Sequence, residues 1–174
     1  TFDGTGRVLV FDSPSLRVDG ELTLEAWINP TGPGTGGGQG GIIVNKEGEY
    51  EIARFADGTI RWAFANANPG WVWINTGYVA PLNEWTHVAV VYDDGDVRTY
   101  ADGELVHFFD GAGLIGDVHV GLDQLRIGDR SSALQRFQGQ IDEVRVWTAT
   151  RSQGEIRANM NRILDGDEAG LGGY

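Results

Sequence analysis

Amide and aromatic side chains concentrate in one short segment of the chain. Six of them fall within thirteen residues: Asn66, Asn68, Trp71, Trp73, Asn75 and Tyr78. An aromatic ring stacks on the axial C–H bonds of a pyranose, and planar amides read its vicinal hydroxyl groups. If the segment is extended, Trp71, Trp73 and Asn75 share one face. That face either binds a sugar or packs as core against an opposite sheet, and the sequence leaves both interpretations open.

Paired carboxylates are a second chemistry to consider. Glu47, Glu49 and Glu51 alternate along the chain, as acids on one face of a strand do. A retaining glycosidase needs two carboxyl groups ~5–5.5 Å apart. Gly48 interrupts the start of this strand, and no acid–base environment is recognisable around the three acids. We therefore predict no catalytic residues and no enzymatic activity.

Other reactive side chains are absent from the sequence or scattered along it. The chain has no cysteine, which excludes disulfides, thiolate zinc sites and cysteine nucleophiles. It also has no Gly-x-Ser-x-Gly motif of serine hydrolases. His107 and His119 are isolated from any second metal-ligand type, and His87 lies within an apolar strand, where a core imidazole is expected.

The charge balance restricts the class of partner. The 174 residues carry 13 basic and 25 acidic side chains, a net charge of −12. This sign is wrong for nucleic acid and for anionic membrane surfaces, and it favours neutral over sulfated or uronic-acid glycans. No stretch approaches the ~20 apolar residues that a membrane helix needs. The chain begins at Thr1 rather than Met, so we expect a module cut from a longer, multidomain protein.

The elements that must position these side chains are mostly short strands. Alternation over Glu21 to Ile28 predicts a half-buried strand, and Asp57-Gly58 predicts a hairpin turn between two others. We also predict a strand over Trp71 to Asn75. Ser152, followed three residues later by Glu155, forms a capping box and predicts one short helix near the C-terminus. The fold class is therefore all-β, a two-sheet antiparallel β-sandwich with one short helix, in a single domain over residues 1–174.

Several local patterns then occur in a familiar order. They are FDG from Phe2, LTLEAWINP from Leu22, NEWTHVAVVYDDG from Asn83, VRTYADGELV from Val97 and GQIDEVRVWTATRSQGEI from Gly139. In combination they resemble the laminin G-like jelly-roll modules of the concanavalin A-like lectin/glucanase superfamily, over nearly the whole chain. The resemblance implies two stacked antiparallel sheets of curved strands whose rim loops carry ligands. It implies fold more strongly than function, because the superfamily includes lectins, glycosidases, pentraxins and adhesive domains.

The resemblance also implies a structural calcium ion beside the last long strand. Asp142 would supply a carboxylate, and carbonyls around Asp3, Gly4 and Gly20 would complete a shell of six to eight oxygens. The alternative is that Asp142 caps a turn or pairs with a neighbouring arginine.

Asp129 and Arg130 lie in a region that is near a ligand-binding calcium site in pentraxin-like relatives. Those relatives supply several acids there, whereas this stretch offers only Asp129. A solvated polar loop is the interpretation that the sequence favours, but both residues stay candidate ligand contacts.

Together these features predict a non-catalytic carbohydrate-binding or adhesion module, stabilised by calcium, in a secreted or cell-surface protein. Its partners would be a neutral glycan or a protein ligand and the other domains of its parent chain. The alternative is a structural or protein-interaction domain of the same fold without a glycan ligand. The two differ in whether the Trp71 and Trp73 side chains are exposed to a ligand or buried in the core.

Overall fold

The computed structural model describes residues 1–121, 124–131 and 134–173. The first seven strands are β1 (Phe2–Asp3), β2 (Val8–Val10), β3 (Glu21–Pro30), β4 (Gly41–Lys46), β5 (Tyr50–Arg54), β6 (Thr59–Phe64) and β7 (Ile74–Val79). The others are β8 (Thr86–Asp93), β9 (Asp96–Ala101), β10 (Glu104–Phe109), β11 (Leu125–Ile127), β12 (Gln138–Trp147) and β13 (Leu171–Gly173). The helix α1 (Gln153–Asn159) lies between β12 and β13, and two short 3-10 turns occupy Pro14–Leu16 and Gly37–Gln39.

The strands form two antiparallel sheets stacked as a jelly-roll sandwich. The seven-stranded sheet has the order β1-β12-β3-β8-β9-β10, and β13 pairs with β12 as well. The six-stranded sheet has the order β2-β11-β4-β5-β6-β7. Sequence neighbours β4 to β7 pair through short connections, whereas β11 returns from far along the chain to lie beside β4. The all-β sandwich with one short helix is confirmed.

The core between the sheets follows from the two-residue period of a strand. Leu22, Leu24 and Ile28 of β3 are fully buried, as their alternation predicts. Tyr50 and Trp62 face them from the six-stranded sheet in the same apolar cluster. Since alternate residues of β4 to β6 must then point away from the core, these strands present a second, outward face.

The outward face of the seven-stranded sheet is covered by α1. Ile156 of the helix packs on this sheet with Ala89 and Val91 of β8. Beneath the helix end, Arg145 donates hydrogen bonds of 2.9 and 2.7 Å to the backbone carbonyls of Asn159 and Arg162. The helix therefore occupies part of the outward face of the seven-stranded sheet.

One detail of the sequence prediction is corrected. Trp71 and Val72 form a bend and Trp73 is irregular, so β7 begins only at Ile74. The helix has the predicted capping box, in which the Ser152 side chain accepts from the backbone N–H of Glu155. It ends at Asn159 after seven residues, so the prediction of one short helix is confirmed. No helix in the part of the chain that the structure describes has the length and apolar character needed to cross a bilayer.

Candidate functional site

Two strands of the six-stranded sheet place a polar pair on its outward face. Asn45 of β4 and Glu51 of β5 are directly opposite in the antiparallel register. Side chains at such positions point the same way, and the Asn45 amide donates to the Glu51 carboxylate at 2.9 Å. Both residues are buried, with at most 1% of their surface exposed. They form the floor of the site.

A third polar side chain comes from the tight turn between β4 and β5. Glu47 lies next to Gly48, whose φ of +84° is the left-handed conformation that glycine adopts without strain. A Cβ at Gly48 would meet the backbone nitrogen of His119 at 2.6 Å, so glycine also allows the 117–119 loop to approach the turn. His119 then lies with its Nδ1 3.3 Å from a Glu47 oxygen.

Arg130 crosses this floor from the loop after β11. It donates two hydrogen bonds to the Glu47 carboxylate, from Nε at 2.8 Å and from Nη2 at 2.7 Å. The same Nη2 lies 3.6 Å from a Glu51 oxygen. Nη1 donates to the side-chain oxygen of Gln135 at 3.2 Å. A forked guanidinium suits this bidentate arrangement, which fixes the loop over β4 and β5.

The two glutamates experience different environments although they share Asn45 and Arg130. Burial raises the pKa of Glu51 to about 7, although the charge of Arg130 opposes this shift. For Glu47, burial also acts to raise the pKa, but hydrogen bonds and charge from Arg130 outweigh it and lower the pKa below its ordinary value. Near neutral pH the site therefore holds one firmly ionised carboxylate and one that titrates.

Beside these residues lies an open cleft of about 420 Å³, which we call the Arg130 cleft. Its lining includes Thr35, Gln39, Glu47, Arg130, Ser131 and Gln135. Gln135 is only 3% exposed, and among the described residues its amide nitrogen has no hydrogen-bond partner. Its φ of +56° is a left-handed value, which costs a non-glycine residue free energy.

Of the predicted ligand residues, the structure brings Arg130 and Trp71 together. The guanidinium carbon of Arg130 lies 5.9 Å from the centre of the Trp71 ring. Trp71 is half-buried at the rim, where its ring also meets His119 edge-on with centroids 6.3 Å apart. These two predicted residues are thus neighbours, with Arg130 in the lining of the cleft and Trp71 beside it.

Trp73 and Tyr78 are placed elsewhere. The Trp73 ring packs edge-on against Phe55, with centroids 5.2 Å apart, and joins a small apolar cluster on the outward face. Tyr78 packs against the main core between the sheets. For Trp73 and Tyr78, the alternative that the aromatics serve as packing residues describes the observed contacts.

The remaining predicted residues hold their own loops. Asn66 donates to the carbonyl of Asn68 at 2.8 Å and accepts from the N–H of Gly70. Asn75 is exposed and accepts from the N–H of Gly77 at 2.8 Å. Asp129 is fully buried with its carboxylate 3.3 Å from Arg126, so it faces that arginine rather than the cleft.

Sequence reasoning missed most of the polar residues of the site. Asn45, Glu47, Glu51, His119, Ser131 and Gln135 were not predicted as ligand residues. The alternation of Glu47, Glu49 and Glu51 was the available signal, because two of these three acids reach the site. His119 and Gln135 carried no signal, since only the folding of distant loops brings them to Glu47 and Arg130.

The four residues expected to share a calcium ion do not come together. Asp3 pairs with Gln138 on β12, so Asp142 lies ~13 Å further along that strand. Gly20 precedes β3, and Trp27 of β3 is the partner of Asp142, which puts Gly20 ~23 Å away along the strand axis. Calcium ligands lie within about 2.6 Å of one ion, so these residues do not fit a single site.

The local contacts of these acids explain where their oxygens are directed. The Asp3 carboxylate accepts from the backbone and hydroxyl of Thr5 and from the N–H of Gly6. Asp142 accepts from the N–H of Glu143 at 3.0 Å. Among the described residues, three other acids, Asp165, Asp167 and Glu168, approach one another within 4.8 Å on the C-terminal loop. Glu168 there accepts two backbone N–H groups, which is an ordinary turn contact.

Comparisons with known proteins agree with this architecture. A family model, Laminin G 3 of the concanavalin A-like lectin/glucanases superfamily, matches residues 2–157. No curated protein sequence matches significantly. Among solved structures, a Bacteroides ovatus ATCC 8483 protein with a proposed role in carbohydrate binding superposes with a TM-score of 0.75 at 23% identity. The match covers 95% of this chain and 47% of that one, so this chain spans about half the length of that relative.

Two further structures share the fold. Domain 4 of AbnA, a GH43 extracellular arabinanase from Geobacillus stearothermophilus solved with arabinotriose, has a TM-score of 0.62 at 20% identity, covering 90% of this chain and 73% of that one. A heptameric SAP-like pentraxin from Limulus polyphemus has a TM-score of 0.56 at 16% identity, covering 94% and 86%. At these identities the similarity shows the fold alone.

Proposed function

The chain belongs to the Laminin G 3 family of the concanavalin A-like lectin/glucanases superfamily, and from this premise we propose that it is a non-catalytic carbohydrate-binding module whose ligand site is the Arg130 cleft. The observation that supports the proposal most directly is the open cleft itself, whose described lining is rich in polar side chains that can meet sugar hydroxyl groups, with the Trp71 ring beside Arg130.

The chemistry of the cleft favours a neutral sugar. Arg130 is the cation among the described lining residues, and two of its hydrogen bonds go to Glu47, so its charge is already balanced. A sulfated or uronic-acid glycan would therefore meet a paired guanidinium beside an ionised glutamate. The Trp71 ring at the rim offers an apolar face for the C–H side of a pyranose or furanose.

Catalysis is not part of the proposal, although two carboxylates lie close together. Glu47 and Glu51 both approach the Nη2 of Arg130, at 2.7 and 3.6 Å, so their oxygens are within about 6 Å of each other. Glu51 is only 1% exposed and Glu47 5%. A nucleophile or acid must reach the glycosidic bond, and both groups are instead held by Arg130 beneath the cleft surface.

The same fold without a glycan is the second candidate. Val8 to Val10 form β2, an edge strand of the six-stranded sheet, and Phe11 after it is 81% exposed. Exposed apolar residues on an edge strand favour pairing with another polypeptide. The proposal also includes secretion, an adhesive role and linkage to other domains of a longer protein. The net charge of −12 argues against nucleic-acid partners.

The proposal is tested by titrating the purified module calorimetrically with neutral oligosaccharides, including arabinotriose and gluco-, galacto- and manno-oligosaccharides. We expect Trp71→Ala and Gln135→Met to weaken binding of the sugar that binds by tenfold or more, because each removes a contact group at the cleft.

Trp73→Ala is the matched control, since it removes the same ring from the same bend but outside the cleft wall. It should leave the sugar affinity within twofold. Failure of every neutral sugar to bind would favour the protein-interaction candidate, whereas equal losses in Trp71→Ala and Trp73→Ala would place sugar binding outside the Arg130 cleft. Calcium stabilisation stays a separate prediction, and melting the wild-type module in EDTA and in calcium tests it.

A further inference from the structure

The oxygens around Arg130 have the composition of a cation-binding shell. Both carboxylate oxygens of Glu47 accept from its guanidinium, at 2.8 and 2.7 Å. One oxygen of Glu51 lies at 3.6 Å and the amide oxygen of Gln135 at 3.2 Å. Carboxylate and amide oxygens in this mixture are the ligands that calcium takes. Here they surround a guanidinium instead.

Further side chains donate hydrogen bonds to these oxygens and hold them in place, as outer hydrogen-bond partners do for the ligands of metal ions. The Asn45 amide donates to both glutamates, at 3.4 Å to Glu47 and 2.9 Å to Glu51. The Ser131 hydroxyl donates to Glu47 at 3.1 Å. Asn45 is fully buried, and within the described residues its side-chain oxygen has no hydrogen-bond partner. Two buried carboxylates that share one donor repel each other when both are ionised, and a positive charge between them relieves this repulsion.

We propose that Arg130 is the built-in cation of the cleft: its guanidinium occupies the position where Glu47, Glu51 and Gln135 would otherwise hold a divalent ion, so the cleft is organised for its glycan without calcium. The claim about glycan binding rests on the proposed function, whereas the claim about the cation position does not. Arg130 is thus a specificity-determining residue. Its guanidinium takes the place of a metal ion that would coordinate sugar hydroxyl groups directly, and a guanidinium cannot coordinate them in that way.

The burial of the guanidinium is what distinguishes it from a surface ion pair. The Arg130 side chain is 19% exposed, and the acids it joins are 5% and 1% exposed. Its hydrogen bonds to Glu47 raise the pKa of Arg130 further, although burial opposes this, so the charge is permanent. An exposed pair could exchange its cation for solvent ions, whereas this guanidinium is held by hydrogen bonds to Glu47 and Gln135 and lies 5.9 Å from the centre of the Trp71 ring.

The test removes the guanidinium and offers a metal in its place. Arg130→Ala vacates a position 5.9 Å from the Trp71 ring, so terbium bound there should show luminescence sensitised by tryptophan excitation. We expect at least a fivefold gain over wild type, reversed by excess calcium and lost when Trp71→Phe or Glu47→Gln is added. Calcium at ten times its Kd should raise the melting midpoint of Arg130→Ala by about 3–6 °C more than that of wild type.

Arg126→Ala is the matched control, because Arg126 is a half-buried arginine beside β4 that pairs with Asp129 and not with Glu47 or Glu51. It should show no gain of terbium luminescence. Arg130→Gln, which keeps a donor for Glu47 but not the charge, gives the same comparison if the alanine variant does not fold.

Two results would overturn the proposal. One is an Arg130 variant that folds and binds terbium and calcium no better than Arg126→Ala. The other is calcium binding by wild type that disappears with Glu47→Gln or Glu51→Gln, since the metal would then share the site with Arg130. Neither readout contains a sugar, so a failure here is distinguishable from failure of the module to bind glycans.

Discussion

Glu51 should make the stability of this module fall as the pH rises through neutrality. Its folded pKa is about 7, raised by burial from the ordinary value of 4.5. At pH values between these two pKa values, Glu51 of the folded protein holds a proton that Glu51 of the unfolded chain has lost. Stability then decreases with increasing pH, and the decrease levels off above the folded pKa. The substitution Glu51→Gln removes this titration while keeping the size of the side chain and an oxygen for Asn45.

The magnitude follows from the difference between the two pKa values. A shift from 4.5 to about 7 corresponds to about 3 kcal/mol at 1.36 kcal/mol per pKa unit. For a chain of this length 1 kcal/mol moves the melting midpoint by about 2–4 °C. Between pH 4 and pH 8 the wild-type midpoint should therefore fall by about 6–12 °C relative to Glu51→Gln.

Differential scanning calorimetry of both proteins at half-unit pH steps measures this difference. Glu84→Gln, at an exposed position, controls for the loss of one negative charge from the protein. Parallel profiles for wild type and Glu51→Gln, or a wild-type midpoint that rises relative to the variant above pH 5, would refute the reasoning. Parallel profiles would mean that Arg130 cancels the effect of burial on Glu51, and a relative rise would mean that Arg130 outweighs it.

Three further substitutions test the packing that supports the site. Trp73→Ala should lower the free energy of unfolding in urea by about 2 kcal/mol, because its ring packs on Phe55. A change below about 0.5 kcal/mol, the scale of surface substitutions, would mean that the Trp73 ring makes no stabilising contact. Arg145→Met should cost about 3–5 kcal/mol in the same assay, since it removes the guanidinium beside Glu25 and Glu143 and the donor to the carbonyls of Asn159 and Arg162; equal stability would show that the buried charge contributes nothing. Ser152→Ala should cost about 1 kcal/mol by removing the cap of α1, and restoration by Asp at the same position would confirm the capping role.

Local patterns in the sequence predicted the architecture because a strand reports its environment residue by residue. The alternation of Leu22, Leu24 and Ile28 places one face of β3 in the core, and Asp57-Gly58 turns the chain where β5 meets β6. The helix cap at Ser152 was equally local. The extent of elements was less predictable: Trp71 and Trp73 alternate like strand residues, yet the chain bends there and β7 starts at Ile74.

The contents of the site depended on contacts between residues far apart in the sequence. Trp71 was predicted from residue type, as a sugar-stacking ring, and Arg130 from the resemblance to pentraxin-like relatives, as a loop contact. Glu47 and Arg130 are 83 positions apart, and only the return of β11 beside β4 brings them within 2.8 Å. A calcium ion shared by Asp142, Asp3, Gly4 and Gly20 was expected from the family resemblance and the supply of oxygen ligands, but strand register separates these residues.

The sequence by itself therefore determined the sandwich, the acidic surface and the kind of side chains that could meet a sugar. The tertiary structure alone decided which of them converge, because periodicity and turn chemistry act over a few residues, whereas a binding site is set by sheet order. The raised pKa of Glu51 has the same origin: burial beside Glu47 and Arg130 is a property of the assembled sheet and its loops, not of any local segment.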